Sequence, residues 1–256
     1  MILVIDVGNT NIVFGVINGE DLVSSGRIAT NIYETDDDMA MRLYSFLQIN
    51  KIENVEGAII SSVVPALNRS LVKAIKRVTG IEAMLIGPGI KTGLNIKMDN
   101  PAELGADLVV GAVASIAKYP CPQIICDLGT ATTVSVIDKN KSYIGGAVLC
   151  GVKTAINAIS QGTAQLPQID ISAPKKVIGS NTIDCMKSGA VFGNAAMIDG
   201  LVSRIEEELG SKATVIVTGG LGKTISKECK CETIYDENLL LDGLRIIYEK
   251  NKNLRR

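Results

Sequence analysis

The sequence predicts an α/β protein built from two copies of one β-rich lobe with a cleft between them. Three observations predict it. Short apolar runs of strand length alternate with segments of helical period. The pattern restarts in mid-chain: Asp6-Val-Gly-Asn-Thr-Asn-Ile-Val is matched by Asp127-Leu-Gly-Thr-Ala-Thr-Thr-Val, 121 residues later. In both copies an Asp-x-Gly turn follows an apolar strand and precedes a second, β-rich one.

In the first copy, residues 2–5 form a short apolar strand. Residues 11–17 and 21–28 form two more, with Asn18-Gly19 as the hairpin turn. Residues 36–48 read as an amphipathic helix carrying Met39, Leu43, Phe46 and Leu47 on one side. Residues 58–61 form a buried strand, Pro65 opens a helix to about residue 78, and residues 83–86 form another strand. A Gly/Pro-rich loop covers residues 87–93. Asn100-Pro101-Ala102-Glu103 then has the chemistry of a helix start, with Asn100 as N-cap and Pro101 as the first helical residue, and this helix runs to about Lys118.

The second copy repeats the order with strands at 123–126, 132–137 and 143–149. Helices follow from about Val152 and about Asn181, the second with a break near Gly193. A late strand covers 214–217 and a last helix 240–248, and Lys250 to Arg256 form a solvated tail. The expected lobes are residues 1–118 and 119–256.

Composition excludes several classes of function. Lys and Arg number 26 against 27 Asp and Glu, a balance that gives no support for nucleic acid or an acidic membrane as the main partner. No apolar run reaches the ~20 residues of a membrane span, and the amino terminus lacks a signal-peptide pattern. Six scattered cysteines in a chain of 256 residues read as reduced thiols, which fits a cytoplasmic protein. Cys229 and Cys231 are the one close pair, too few for zinc without a second pair or a histidine. The chain has no histidine, which removes Ser-His-Asp and Cys-His chemistry and leaves a carboxylate as the expected general base.

The two Asp-Gly loops carry the chemistry. Glycine lets the backbone approach a phosphate and turn tightly, and successive N–H groups form an anion nest. Asn9, Thr10 and Asn11 add donors. The aspartates repel phosphate, so each is expected to hold a cation that bridges to it. Val215-Ile-Val-Thr-Gly-Gly-Leu supplies a third element, a late strand ending in a flat Gly-Gly approach or an ordinary strand-to-helix turn. Asp107 is the single charged residue between Leu104 and Ala117. A helix so apolar is expected to be buried, and an isolated carboxylate on it either lines a binding site or reaches solvent at the helix start.

The loops resemble those of the superfamily of acetate kinases, sugar kinases, heat-shock ATPases and actin, which implies two ribonuclease-H-like lobes of the actin-like ATPase type. The resemblance narrows through Asp6-Val-Gly-Asn-Thr, Ser61-Ser-Val-Val-Pro65, Asn100-Pro-Ala-Glu-Leu-Gly-Ala-Asp107, Asp127-Leu-Gly-Thr-Ala-Thr-Thr133, Gly145-Gly146, Asn181-Thr182 and Thr218-Gly-Gly220. Over nearly the whole chain it is similar to type III pantothenate kinases. That resemblance implies phosphorylation of pantothenate by ATP with Mg2+, at the start of coenzyme A synthesis. By position it implies ATP binding by Asp6, Val7, Gly8, Asn9, Thr10, Asn11, Ile12, Val13 and Thr130, and a monovalent cation, K+ or NH4+, on Asp127. It implies Asp107 as proton acceptor. It also implies a pantothenate site of Met98, Gly105, Ala106, Asp107, Leu108 and Thr182 in a homodimer. Met98 and Leu108 stand where the family pattern has tyrosine and arginine. The alternative expectation is therefore a non-catalytic or altered-substrate homologue.

Overall fold

The computed structural model of the chain describes residues 1–255. The apolar runs at residues 2–7 and 57–62 become strands buried on both faces, whereas residues 21–29 form a strand that alternates between exposed and half-buried. β1 (Ile2–Val7) is followed by β2 (Asn11–Asn18), β3 (Asp21–Ala29), α1 (Asp36–Ile49), β4 (Gly57–Ser62), α2 (Pro65–Thr79) and β5 (Met84–Leu85). These strands make a five-stranded sheet in the order β3-β2-β1-β4-β5. β1 is antiparallel to β2 and parallel to β4. Its residues Leu3, Ile5 and Val7 join Ala58 and Ile60 of β4 in a core covered by Met39 and Leu43 of α1 and by Leu67 and Leu71 of α2. The β2–β3 turn is Gly19-Glu20, with Asn18 paired to Asp21, one residue later than the Asn18-Gly19 turn expected. Gly19 has φ +62°, the left-handed conformation such a turn needs.

The helices start and stop where their chemistry directs. Thr35 and Asp38 form a reciprocal capping box on α1. Pro65 occupies the first turn of α2, and Gly80 at φ +76° ends it.

The next elements are β6 (Asn95–Ile96), a 3-10 turn at Pro101–Glu103, and α3 (Ala106–Lys118). The helix expected from Pro101 is thus divided. Its start belongs to Gly105, whose carbonyl accepts the first helical bond from the Val109 N–H at 3.1 Å. Pro101 set the local φ of a short turn, and the tertiary position of Gly105 decided where the α-helix begins.

The second sheet holds β7 (Gln123–Leu128), β8 (Ala131–Ile137), β9 (Ser142–Cys150), β10 (Thr214–Thr218) and β11 (Ile234–Tyr235). Its order is β11-β10-β7-β8-β9-β6. Read from the β9 side, β9-β8-β7-β10-β11 repeats β3-β2-β1-β4-β5, with β6 added beyond β9. β7 is antiparallel to β8 and parallel to β10, as β1 is to β2 and β4. α4 (Val152–Gly162) and α5 (Thr182–Leu209) cover the core of this sheet through Val152, Ile156, Ala195, Ile198 and Val202. α6 (Gly222–Ser226) and α7 (Leu239–Asn251) complete the chain's helices of α type.

Two expectations change here. α5 runs unbroken through Gly193, from the Asn181 N-cap to Gly210 at φ +66°. Val191, Ala195 and Ile198 of α5, whose spacing suits either an apolar dimer face or the chain's own core, are buried in the chain itself. The expected tail is also ordered in part. Asn251 is buried and exchanges two hydrogen bonds with the Lys91 backbone, both at 2.9 Å, and Lys250 Nζ donates to the Thr92 carbonyl at 2.8 Å. Arg256 lies outside the described residues.

The chain forms two compact units, one of residues 1–93, 102–114 and 240 onward, the other of residues 94–101 and 115–239. In the first, α3 and α7 cover the sheet face opposite α1 and α2. A Cβ on Gly243 of α7 would lie 2.2 Å from the Val110 carbonyl oxygen of α3, so the two helix backbones touch. A Cβ on Gly15 would meet Val4 and Leu241. Among the described residues no helix is long and apolar enough to cross a membrane.

Candidate functional site

The first Asp-Gly loop is the turn between β1 and β2. β1 is apolar until Asp6, and the polar residue appears where the strand reaches the sheet's edge. The Gly8 N–H donates to the Asn11 carbonyl at 2.9 Å, closing the turn. A Cβ at position 8 would come within 3.2 Å of that same oxygen, so glycine is the residue that fits. Asn9 and Thr10 are exposed. Thr30, just past β3, braces the loop from the side: its hydroxyl donates to the Gly8 carbonyl at 2.7 Å and its N–H to the Thr10 carbonyl at 2.9 Å. Sequence reasoning missed Thr30, because nothing local to it marks the contact.

The second loop is built alike but is one residue shorter. Asp6 pairs with Val13 and Val7 with Ile12, whereas Asp127 pairs with Thr133 and Leu128 with Thr132. The 121-residue spacing therefore holds for the strand and its Asp-x-Gly, and becomes 120 in the strand that follows. The Gly129 N–H closes on the Ala131 carbonyl at 3.1 Å. Gly151 crosses directly under this loop, since a Cβ there would lie 2.2 Å from the Thr130 carbonyl oxygen. Thr154, in the first turn of α4, donates to the same carbonyl at 2.8 Å. Each loop thus has a threonine bracing its backbone, and Thr154 also escaped the sequence reading.

The Gly219-Gly220 turn belongs beside Asp127. β10 pairs in parallel with β7 so that Thr218 sits opposite Asp127. Gly219 has φ +89°, and a Cβ on it would lie 2.5 Å from Asp127 Oδ1. A side chain at 219 would displace the carboxylate, which explains why the late strand ends in glycine.

Asp107 is the second residue of α3, in the first turn of a helix that is otherwise uncharged until Lys118. It is half-buried, and its Oδ1 accepts the Leu108 N–H at 2.8 Å. Burial pushes its carboxyl above the ordinary carboxylate range, while the backbone N–H bonds at the helix start oppose the shift. Gly105 makes room for it: a Cβ there would be 2.5 Å from Asp107 Oδ1 and 3.9 Å from Val63 Cγ1. Val63 follows β4, and its N–H donates to the Val7 carbonyl at 3.0 Å. Within the first unit, then, Gly105 at the start of α3 lies beside Val63 just past β4, and Val63 in turn bonds Val7 at the end of β1. Leu108 meets Asp107 through its backbone N–H, a contribution any side chain could make.

The remaining sequence-derived positions belong to the second unit. Met98 is half-buried in the segment between β6 and the 3-10 turn, and Thr182 is the exposed first residue of α5. Among the described residues no three His, Cys, Asp or Glu side chains gather to hold a metal ion. The donor set is instead single carboxylates beside glycine-rich turns. That suits a cation that arrives with phosphate oxygens and keeps most of its shell from them and from water.

Comparison with known proteins points the same way. A family model described as type III pantothenate kinase matches residues 2–204. A type III pantothenate kinase of Exiguobacterium sibiricum is 49% identical over 255 residues, covering 98% of this chain and 100% of the relative. That of Halalkalibacterium halodurans is 46% identical over 253 residues, again covering 98% and 100%. Among solved structures, a ROK family glucokinase from Streptomyces griseus, in complex with glucose and AMPPNP, aligns with a TM-score of 0.53 at 11% identity. The alignment covers 98% of this chain and 99% of that one, and shows the shared sugar-kinase fold.

The raised Asp107 pKa has a consequence for stability. The folded chain holds this proton more tightly than the unfolded chain. Asp107 therefore costs no stability below its ordinary pKa, and an increasing amount as pH rises through the folded value. Asp107→Asn keeps an acceptor for the Leu108 N–H and removes the ionisation. Thermal melts across pH should show the variant at least as stable as the parent at neutral pH, with its advantage shrinking toward zero as the pH falls through the carboxylate range.

Proposed function

The chain belongs to the type III pantothenate kinase family, and on that premise we propose that Asp107 is the general base of its reaction. The activity is ATP-dependent phosphorylation of pantothenate in coenzyme A synthesis. One observation carries the assignment of Asp107. A carboxylate with a raised pKa stands on a glycine-cleared shelf next to the end of the first Asp-Gly loop. A base near the operating pH transfers protons most effectively, and desolvation moves Asp107 in that direction.

ATP with its divalent cation supplies the phosphoryl group and neutralises charge on it. Residues 6–13, with Gly8 and the side chains of Asn9, Thr10 and Asn11, offer donors to the phosphates, and Thr130 offers the corresponding contact from the second loop. Asp107 accepts the proton of the primary hydroxyl of pantothenate as that oxygen bonds to the γ-phosphorus and the bond from that phosphorus to the β–γ bridging oxygen breaks, with ADP as leaving group; the proton passes to solvent afterwards. Gly105 and Ala106 leave space for the acceptor, with Met98, Leu108 and Thr182 as further contacts. Leucine at 108 puts no side-chain cation beside Asp107, so only the Leu108 backbone N–H, and no neighbouring positive charge from that position, opposes the upward shift. Asp127 is the ligand for a monovalent cation, K+ or NH4+. Gly219 holds that carboxylate's surroundings open.

A homodimer is part of this reading, in the cytoplasm. The exposed residues Ile178 and Ile183 flank the start of α5 and offer apolar surface that the buried Val191, Ala195 and Ile198 do not. Light scattering should return about twice 27.1 kDa, and a monomer at micromolar concentration would refute it.

ADP release coupled to pantothenate tests the catalytic assignment. Asp107→Asn should lower kcat by about 10²–10⁴-fold with the KM for ATP little changed. An active variant would remove Asp107 from the chemistry. Rates in K+ or NH4+ should exceed those in Na+, and Asp127→Asn should abolish the difference. Equal rates of the parent in all three salts would remove the monovalent site.

A further inference from the structure

The side chain in register with Asp6 on the neighbouring parallel strand is Ser61. Ala58 and Ile60 of β4 point into the core under α1 and α2, so by alternation Ser61 points to the opposite face, as Asp6 does on β1. Ser61 is 0% exposed, and its Oγ is buried with no hydrogen-bond partner. A buried hydroxyl without a partner is destabilising, and alanine would fill nearly the same space without that cost. Packing alone therefore gives the hydroxyl no purpose.

The second sheet repeats the arrangement. There the residue in register with Asp127 on the neighbouring parallel strand is Thr218, buried at 1% exposure. Both loop carboxylates thus have a hydroxyl side chain as their parallel-strand neighbour, although the sequences of β4 and β10 share no other polar pattern.

The geometry points to Ser61 as a positioning residue for the nucleotide-bound state, in which its hydroxyl donates to the Asp6 carboxylate and fixes that group against the cation-bearing phosphates. The assignment rests on the ATP-binding reading above. The residues fit it: the hydroxyl lies beside the carboxylate on the same face, and a donor held ready in a buried position loses little freedom when it bonds. In the resting protein the bond is unmade, so the hydroxyl's effect is confined to the loaded state.

The test separates the two states. Melting of the nucleotide-free proteins and calorimetric titration with AMPPNP and Mg2+ are measured for the parent, Ser61→Ala and Ser61→Thr. Without nucleotide, Ser61→Ala should melt at or above the parent. Its dissociation constant for AMPPNP-Mg2+ should rise about three- to tenfold, the loss of one ordinary hydrogen bond. In steady-state assays the KM for ATP should rise while that for pantothenate holds. Ser61→Thr, which keeps the hydroxyl, should bind within about twofold of the parent, on the order of 0.4 kcal/mol. Equal affinity of parent and Ser61→Ala would overturn this proposal alone. A nucleotide-free Ser61→Ala that melts well below the parent would overturn it too, because the hydroxyl would then serve the resting fold. A parent that fails to bind AMPPNP-Mg2+ would overturn the ATP reading and this proposal with it.

Discussion

The register of β1 against β4, and of β7 against β10, is the constraint on which the rest of the molecule depends. Side chains alternate with a period of two, so a slip of one residue would turn Asp6 into the apolar core and drive Val7 out of it. The core under α1 and α2 takes Leu3, Ile5 and Val7 from one strand and Ala58 and Ile60 from the next, which leaves Asp6 and Ser61 together on the other face. The hydrophobic effect thus places a carboxylate and a hydroxyl side by side without any attraction between them. In the second sheet Ile124, Cys126 and Leu128 do the same for Asp127 and Thr218.

Around these registers the backbone is brought closer than side chains would permit. Gly105 yields space to the Asp107 carboxylate, Gly219 to that of Asp127, and Gly151 to the Thr130 carbonyl. Only Gly219 of these three also needs glycine for its backbone angle. At the other two the requirement is steric, set by a neighbour distant in sequence or by a carboxylate two residues on. The loops are then held by Thr30 and Thr154, whose hydroxyls bond loop carbonyls rather than anything a ligand would need.

Asp107 shows stability and function pulling apart. A helix of valines, alanines and one isoleucine gains by burial, and a carboxylate on it loses hydration. Its place in the first turn recovers part of that loss from the helix dipole and the Leu108 N–H. The residual shift is what a proton acceptor requires. One property, partial burial at a helix start, therefore makes the residue costly to the fold, and in the proposed reaction the same property would suit it to accept a proton.

The sequence alone determined the elements and the duplication. Apolar runs made the strands, helical periodicity marked residues 36–48 and Pro65 the start of the next helix, and Asp-x-Gly after each first strand marked both loops. Asp107 stood out because one charge in a long apolar helix has few physical explanations. Tertiary structure alone decided what depends on contacts between distant residues. It started α3 at Ala106, with the Gly105 carbonyl taking the first helical bond, instead of at Pro101. It kept α5 whole through Gly193, because packing on the second sheet outweighs the weak helix propensity of one glycine. It buried Val191, Ala195 and Ile198, whose periodicity fits an internal core and an external interface equally well. It shortened the second loop by one residue, set Thr30 and Thr154 against the loops, and left the Ser61 hydroxyl beside Asp6. Local sequence encodes period and turn chemistry, whereas these outcomes depend on which surfaces meet when the chain closes on itself.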